Sequence, residues 1–330
     1  MELAPHAFSL RQLQYLVAVA ETLSFRGAAR RCHVSQPALS AQLAQLEAAL
    51  GVRLFERDRR RVLVTAAGRE LVARAQRLLV EADDLLAAAR RAGDPLAGTL
   101  TLGVIPTVSP YLLPVVSPAL RSAYPGLSIL WKEERTAVLV RSLDAGRIDA
   151  ALLALEADLG DVESEAIARD AFVLAAPAGH PLGERAAAAT PAELRDADVL
   201  LLDDGHCLRD QALAVCSRAR AHELEFRATS LTTLAQMVAG GAGVTLLPRL
   251  AVPTEARLSG LRVRPFAEPA PHRTIALVWR RRSPLTPALR QLAQTLREAF
   301  PAPVGSGPAA PTSPARRPAR TASSGRARGG

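Results

Sequence analysis

Lysine is nearly missing from this 330-residue chain: Lys132 is the only one, and arginine carries the rest of the positive charge. Cysteine is limited to three residues, methionine to two, and aromatics to 4%. Three cysteines cannot staple a chain this long, and their odd number excludes a fully paired disulfide framework and fits a reducing cytosol. No apolar run reaches the roughly 18–20 residues a membrane-spanning helix needs, so none is expected. The opening Met1-Glu2-Leu3-Ala4-Pro5-His6 lacks a basic stretch followed by an apolar core, so no secretion signal is expected either.

The hydrophobic content of 49% is enough to build real cores, and the length predicts two or three compact units. The net charge of +9 points to an anionic partner, nucleic acid first. That charge is uneven. Residues 1–92 carry a balance of +5, residues 93–300 a balance of −1, and residues 301–330 again +5 with no acidic group. The last segment is rich in Pro, Gly, Ser and Ala, has almost nothing to bury, and is expected to be a disordered, solvated tail.

In the basic head, Leu13, Leu16, Val17 and Ala20 share one helical face. Ser24 can cap a short helix through Phe25, Ala28, Ala29 and Cys32, with Cys32 expected on the buried side. Ser35 caps a third helix with Pro37 in its first turn, a stripe of Leu39, Leu43, Leu46 and Leu50, and Gly51 as its stop. Two helices around a tight turn, with small residues where they cross, predict a helix-turn-helix. The exposed start of the third helix offers Ser35, Gln36 and Ser40 to base edges and phosphates. Residues 54–64 alternate like a hairpin with arginines at the tip and read as a wing along a phosphate backbone. The plainer alternative is a three-helix interaction module with a solvated loop. Thr65 then caps a helix from 66 to about 92, in which Leu71, Ala75, Leu78, Ala82, Leu85 and Ala89 form a coiled-coil seam. Such a seam reads as a dimer contact or as packing against the chain's own body.

This head resembles the LysR-type transcriptional regulators. The resemblance rests on Ala28-Ala29-Arg30, Val34-Ser35-Gln36-Pro37-Ala38-Leu39-Ser40, Leu46-Glu47 and Leu50 through Arg57, and continues through Thr65-Ala66-Ala67-Gly68. It implies a bacterial, cytoplasmic protein with a winged helix-turn-helix over 1–64, a linker and dimerisation helix over 65–92, and a regulatory domain over 93–300. The tail of 301–330 falls outside it. DNA contacts are expected from Arg26, Ser35, Gln36, Pro37, Ser40, Arg57, Arg59 and Arg60.

In the near-neutral body, strands are predicted at 99–104, 127–132, 150–155, 172–176, 199–202, 244–247 and 274–279. Helices are predicted at 111–123, 137–145, 232–239 and 287–299. This order implies an α/β fold with mostly parallel sheets. The family resemblance implies two such lobes similar to periplasmic binding proteins, from about 98–170 plus 271–300 and from about 171–270. Residues 105–110 follow the first strand and so point at the cleft. Gly240-Gly241-Ala242-Gly243 follows a helix without a GxGxxG frame and reads as a helix stop.

The remaining two cysteines sit at C-x8-C in Asp203-Asp204-Gly205-His206-Cys207-Leu208-Arg209-Asp210-Gln211-Ala212 and onward to Cys216. No second pair completes a metal-binding set, and no metal or cofactor is expected. Cys207 follows a strand and a turn and opens a helix, where backbone N–H groups, His206 and Arg209 would favour thiolate. A thiolate reacts with peroxide to give a sulfenic acid that a second thiol can capture. Nine helical residues would hold the two Cα atoms roughly 13 Å apart on nearly opposite faces, whereas a disulfide needs them within about 7 Å. Each cysteine alone also reads as a small buried hydrophobe.

The segment from Gly205 to Cys216 resembles the hydrogen-peroxide-sensing members of the LysR family. So do Ile105-Pro106-Thr107-Val108, Phe226 through Leu231, Gly243 through Pro248 and Arg273-Thr274-Ile275. That resemblance implies a peroxidatic Cys207 and a resolving Cys216, with Thr107 and Thr136 helping to bind peroxide. It also implies that His206 and Asp210 flank the thiol and that Arg273 stabilises its thiolate; Ala137 departs from a polar residue found in some relatives. The implied protein is not an enzyme. Its partners would be double-stranded promoter DNA, a second copy as homodimer and then homotetramer, RNA polymerase, hydrogen peroxide as signal and a cytosolic thiol reductant, with no membrane. Two rivals remain. One is a LysR-type regulator holding a small organic anion in the cleft. The other is a thiol peroxidase enzyme, against which the basic head and the refolding argue.

Overall fold

In the computed structural model, the structure describes residues 6–57, 61–90 and 96–301. The head begins with α1 (Leu10–Thr22), whose Ser9 forms a capping box with Gln12. Next comes α2 (Phe25–Arg31), capped by the Ser24 hydroxyl, and then α3 (Gln36–Leu50), capped by Ser35 with Pro37 in its first turn. Gly51 ends α3 in the left-handed conformation at φ 68°. Leu13, Leu16, Val19, Leu39, Leu43 and Leu46 bury together, and Ala28 and Ala29 let the helices cross closely. The wing pairs β1 (Phe55–Arg57) antiparallel with β2 (Val62–Val64). Glu47 anchors it to α3 by accepting the backbone N–H groups of Leu54 at 2.8 Å and Phe55 at 3.3 Å.

The long helix α4 (Ala66–Arg90) starts at Thr65, whose hydroxyl accepts the Gly68 N–H at 2.9 Å and donates to the Arg53 carbonyl at 2.8 Å. The expected seam divides. Ala75 is buried against the head core, with Leu71, Val72 and Leu79 packed beside it. Leu78 and Leu85 stay exposed, at 48% and 72%.

The body follows as β3 (Gly98–Val104), α5 (Ser109–Ala123), β4 (Leu127–Glu133), α6 (Thr136–Asp144), β5 (Ala150–Ala154) and the 15-residue β6 (Val162–Ala176). It continues with β7 (Asp198–Leu202), α7 (Cys207–Ala219), β8 (His222–Ala228), α8 (Leu231–Ala239), β9 (Thr245–Pro248) and α9 (Val252–Ser259). The last elements are β10 (Arg262–Pro265), β11 (His272–Arg280) and α10 (Thr286–Ala299). The main sheet runs β10-β6-β11-β5-β3-β4, with β9 also on β6, while β7 and β8 pair parallel beside it.

Among the described residues the parallel ladders are β3–β4, β3–β5 and β7–β8 and the other strand pairs are antiparallel, which corrects the expectation of mostly parallel sheets. The reason is β6 and β11, which run antiparallel to their neighbours. Residues 162–171 of β6 pair with β11, and residues 172–176 pair with β9 and β10. One strand therefore belongs to two lobes, and the pivot between them is continuous sheet. The first lobe carries β3–β5 with α5, α6 and α10, and the second carries β7–β10 with α7, α8 and α9. Two expectations lie outside the described residues: the wing tip at 58–60 and the tail beyond Pro301. Among the described residues, no helix is long and apolar enough to cross a membrane.

Gly68 decides how closely α4 meets the head. A Cβ there would lie 2.2 Å from the Leu54 carbonyl oxygen and 3.0 Å from Val64 Cγ1. Because the obstacle is backbone, Gly68→Ala is expected to destabilise the head by about 1–3 kcal/mol. Thermal or urea unfolding checks this, and an unchanged midpoint would contradict the close packing.

Candidate functional site

Two sites are built on this frame. On the head, Ser35, Gln36 and Pro37 are exposed at the start of α3, Arg26 is exposed on α2, and Ser40 is half-buried. The Ser35 hydroxyl is committed in part, since it accepts the Ala38 N–H as helix cap. Arg57 lies on β1, whereas Arg59 and Arg60 lie outside the described residues. Together these place short polar groups at a free helix start next to a two-stranded wing, the arrangement that enters a DNA groove. Cys32, expected on the buried face, is only half-buried at the end of α2, and its carbonyl accepts Arg11 Nη2 at 3.1 Å. Its place at a helix terminus rather than within the stripe explains the difference.

The second site begins at β7, whose Val199 to Leu202 are fully buried. The chain leaves the strand through a turn in which Gly205 takes φ +86°, and His206 then occupies the N-cap of α7. Cys207 is the first residue of that helix and is half-buried, whereas Cys216 is 4% exposed within the core. Burial, followed by the nearby Glu223 carboxylate, pushes the Cys216 thiol up to about 12. The helix is unbroken between the two thiols, and both are free.

Two expected thiolate partners are placed differently from the sequence reading. The His206 ring is buried, and burial together with the Arg135 charge holds its pKa below the usual imidazole value; Asp203 and the Thr229 backbone pull the other way. The net effect favours the uncharged imidazole at the helix start. Arg209 is drawn to carboxylates instead, with Nε 2.9 Å from Asp204 and Nη2 2.7 Å from Glu223. The favourable feature left beside Cys207 is the helix start itself. Asp210 is exposed in the first turn of α7, one turn beyond Cys207.

Arg273 is fully buried, and it faces Asp170 in the β11–β6 register. Its Nε and Nη2 bind Asp170 Oδ2 at 3.0 and 2.9 Å. Its Nη1 donates to the Thr107 hydroxyl at 2.7 Å and Nη2 to the Thr107 carbonyl at 3.0 Å. With its lone pair so engaged, the Thr107 hydroxyl directs its own hydrogen elsewhere. Asp170 closes the set by accepting the Leu250 N–H at 3.0 Å.

Between the lobes lies a cavity of about 330 Å³ whose walls include Thr107, Tyr111, Arg135, His206, Thr229 and Thr232. Thr136, the first residue of α6, directly follows Arg135. Thr136 Oγ1 and His206 Nε2 are buried without a hydrogen-bond partner. Such groups are costly to leave unpaired and point to a small polar guest. The structure thus gathers Thr107, His206 and, through Thr107, Arg273 around one cavity, while Thr136 is not part of its wall and Asp210 lies exposed on α7.

Sequence reading missed Tyr111, Arg135, Asp170 and Glu255. Tyr111 of the first lobe donates to the buried Glu255 of the second at 2.6 Å, and Thr232 donates to the same oxygen at 2.9 Å. The only available signal was Asp170, an acidic residue just ahead of an apolar strand run. Among the described residues, no group of three or more His, Cys, Asp or Glu is arranged to hold a metal.

A winged helix-turn-helix joined by a long helix to a two-lobed body with an interlobe cavity defines a signal-responsive DNA-binding regulator. Two family models match: the bacterial regulatory helix-turn-helix protein, lysR family, over residues 10–69, and the LysR substrate binding domain over residues 93–301. The chain belongs to the LysR family of transcriptional regulators. It is 45% identical to the hydrogen peroxide-inducible genes activator of Pectobacterium carotovorum subsp. carotovorum, over 88% of this chain and 96% of the relative. Among solved structures it is similar to a cysteine-to-aspartate variant of full-length OxyR from Pseudomonas aeruginosa. That match has a TM-score of 0.71 at 36% identity, and covers 89% of this chain and 96% of that one. A hydrogen-peroxide-bound cysteine-to-serine variant of Corynebacterium glutamicum OxyR matches with a TM-score of 0.60 at 37% identity, covering 91% and 95%.

Two outcomes follow from the geometry. With native protein at pH 8, iodoacetamide is expected to label Cys216 at least about tenfold more slowly than Cys207, because its thiol is buried and protonated. Peptide mapping of a time course reads this, and equal rates would refute it. Arg273→Ala leaves Asp170 buried and unpaired, which should cost about 3–5 kcal/mol in chemical denaturation; a loss below about 1 kcal/mol would remove the pair from its central position.

Proposed function

We propose that this regulator senses hydrogen peroxide through reversible formation of a Cys207–Cys216 disulfide and so controls oxidative-stress genes. The observation that carries this reading is one helix holding a half-buried thiol at its start and a core-buried thiol nine residues on, beside a cavity lined by His206, whose ring Nε2 is buried and unpartnered. The name of the Pectobacterium relative and the peroxide bound in the Corynebacterium structure point the same way.

In the proposed reaction the Cys207 thiolate attacks one peroxide oxygen and the O–O bond breaks. The departing hydroxide takes a proton to become water, leaving Cys207 as a sulfenic acid. Thr107 and Thr136 hold the peroxide oxygens, and Arg273 sets the Thr107 hydroxyl from behind. His206 and Asp210 flank the thiol. The Cys216 sulfur then attacks the Cys207 sulfur, a second water leaves, and the disulfide is complete. Two thiols are oxidised and one peroxide is reduced to two waters. A cytosolic thiol reductant returns the protein to its starting state.

The disulfide cannot form on an intact α7, since nine helical residues span roughly 13 Å. Oxidation therefore couples to refolding of the segment, and refolding to a changed contact between copies. The protein acts in the bacterial cytoplasm as a homodimer joined along the exposed Leu78 and Leu85 side of α4, assembling further into a homotetramer on double-stranded promoter DNA. From there it engages RNA polymerase. Arg26, Ser35, Gln36, Pro37, Ser40 and the wing arginines Arg57, Arg59 and Arg60 supply the DNA contacts. It carries no catalytic turnover.

One observation favours a second reading. A cavity of about 330 Å³ is far larger than a peroxide molecule and is within the size range of small-molecule sites. A small organic anion held there would leave the cysteines structural. Cys207→Ser separates the two readings: peroxide should no longer alter the DNA footprint, and an undiminished response would sink the redox reading. In the unaltered protein, non-reducing mass mapping after peroxide is expected to recover a Cys207–Cys216 peptide.

A further inference from the structure

The turn between β7 and α7 is gripped by three arginines. Arg209 and Arg227 take the two Asp204 carboxylate oxygens, and both come from the same lobe as the turn. The third, Arg135, comes from the other lobe. It sits between β4 and α6, and its side chain crosses to residues 203–205, where Nη1 donates to the Asp204 carbonyl at 2.8 Å. Its Nη2 reaches Asp203 Oδ2 at 3.4 Å. The guanidinium lies against the turn so closely that a Cβ on Gly205 would be 3.1 Å from Nη1. This places a fork, anchored in the first lobe, on the residues three and four positions upstream of Cys207.

We propose that Arg135 is a positioning residue of the redox switch: it braces the 203–205 turn onto the first lobe in the dithiol form and must let go when the disulfide forms. The proposal rests on the peroxide-sensing reading above. Closing the disulfide requires one thiol to move by more than about 6 Å, the difference between the helical spacing and the disulfide limit. Cys216 is locked in the core, so Cys207 and the helix start are the part that moves. The turn directly before Cys207 moves with them, and its contacts to Arg135 are available to the dithiol state alone. An interaction confined to one state shifts the equilibrium toward that state by its full differential strength.

The same guanidinium lines the cavity next to His206, where its charge helps keep the imidazole neutral. A brace and a charge make different demands on the side chain. Lysine keeps the charge but loses the planar fork that serves a carbonyl and a carboxylate together.

The test equilibrates the full-length chain in glutathione or dithiothreitol redox buffers and quantifies the Cys207–Cys216 disulfide by alkylation and mass spectrometry. The unaltered protein, Arg135→Ala and Arg135→Lys are compared. Both variants are expected to favour the disulfide by roughly three- to tenfold over the unaltered protein, as befits charge-assisted but partly exposed hydrogen bonds. A shift in Arg135→Ala with Arg135→Lys unchanged would overturn the brace in favour of charge alone. No shift in either variant, with the disulfide still forming normally, would overturn the proposal while leaving peroxide sensing intact. Failure of the unaltered protein to form the disulfide at all would remove the sensing reading and this proposal with it.

Discussion

Helix phase is the constraint on which the sensing region depends. Nine residues advance an α-helix by two and a half turns, so Cys207 and Cys216 must lie on opposite sides of α7. The buried side of that helix is made by Leu208, Ala212, Cys216 and Ala219, which recur at spacings of four and three. Cys216 is thus part of the stripe that holds the helix to its lobe. A 13-residue helix has little stability of its own in water and depends on such packing. Any chemistry that joins Cys207 to the core-held Cys216 must therefore unwind the turns between them, and the two covalent states select two folds of one segment.

For such a segment to act as a switch, its surroundings must stay in place while it changes. The crossing strands provide this. Because β6 pairs with β11 over one part of its length and with β9 and β10 over the rest, the lobes share continuous sheet rather than a flexible linker. Arg273 and Asp170 face each other on these strands, and their pairing holds Thr107 at the cavity wall. A buried ion pair is a poor source of net stability. Here it fixes geometry: Asp170 holds the guanidinium, which in turn binds the carbonyl and the hydroxyl of Thr107 at the cavity wall.

The head was legible in sequence to within a residue or two because its signals are local. Ser24 and Ser35 cap helices, Gly51 ends one, and leucines mark the faces. The body's alternation of strand and helix could also be read, since its central strands are continuous apolar runs. The first half of β6 and the whole of β8 were missed for one reason. Both show water-facing charged residues, as in Glu163, Glu165, Glu223 and Glu225, and a single strand face gives too few apolar positions to register. The antiparallel crossing followed from β6 and was lost with it. At the site, the cysteines and threonines could be named from resemblance, but the neutral state of His206 and the diversion of Arg209 could not. Both depend on carboxylates and arginines contributed by β8 and by the β4–α6 connection, which come close only after folding.

The linker helix shares its apolar stripe between the head and the body. Ala75 is buried against α1 and Val80 packs on Gly146 of the first lobe, where an added Cβ would lie 2.7 Å from Val80 Cγ2. Glu21 on α1 reinforces the junction by reaching Arg147 at 3.9 Å. Thus α4 packs on the head through Ala75 and on the lobe that also carries Arg135 through Val80. Leu78 and Leu85 remain outward on the same helix. An α-helix is stiff over this length, so a small rotation of the body against α4 becomes a larger displacement of α3 at its far end. In an assembly joined along the outward face, the distance between two such α3 helices is what a promoter reads, and that distance is what the proposed disulfide would act on without touching a base.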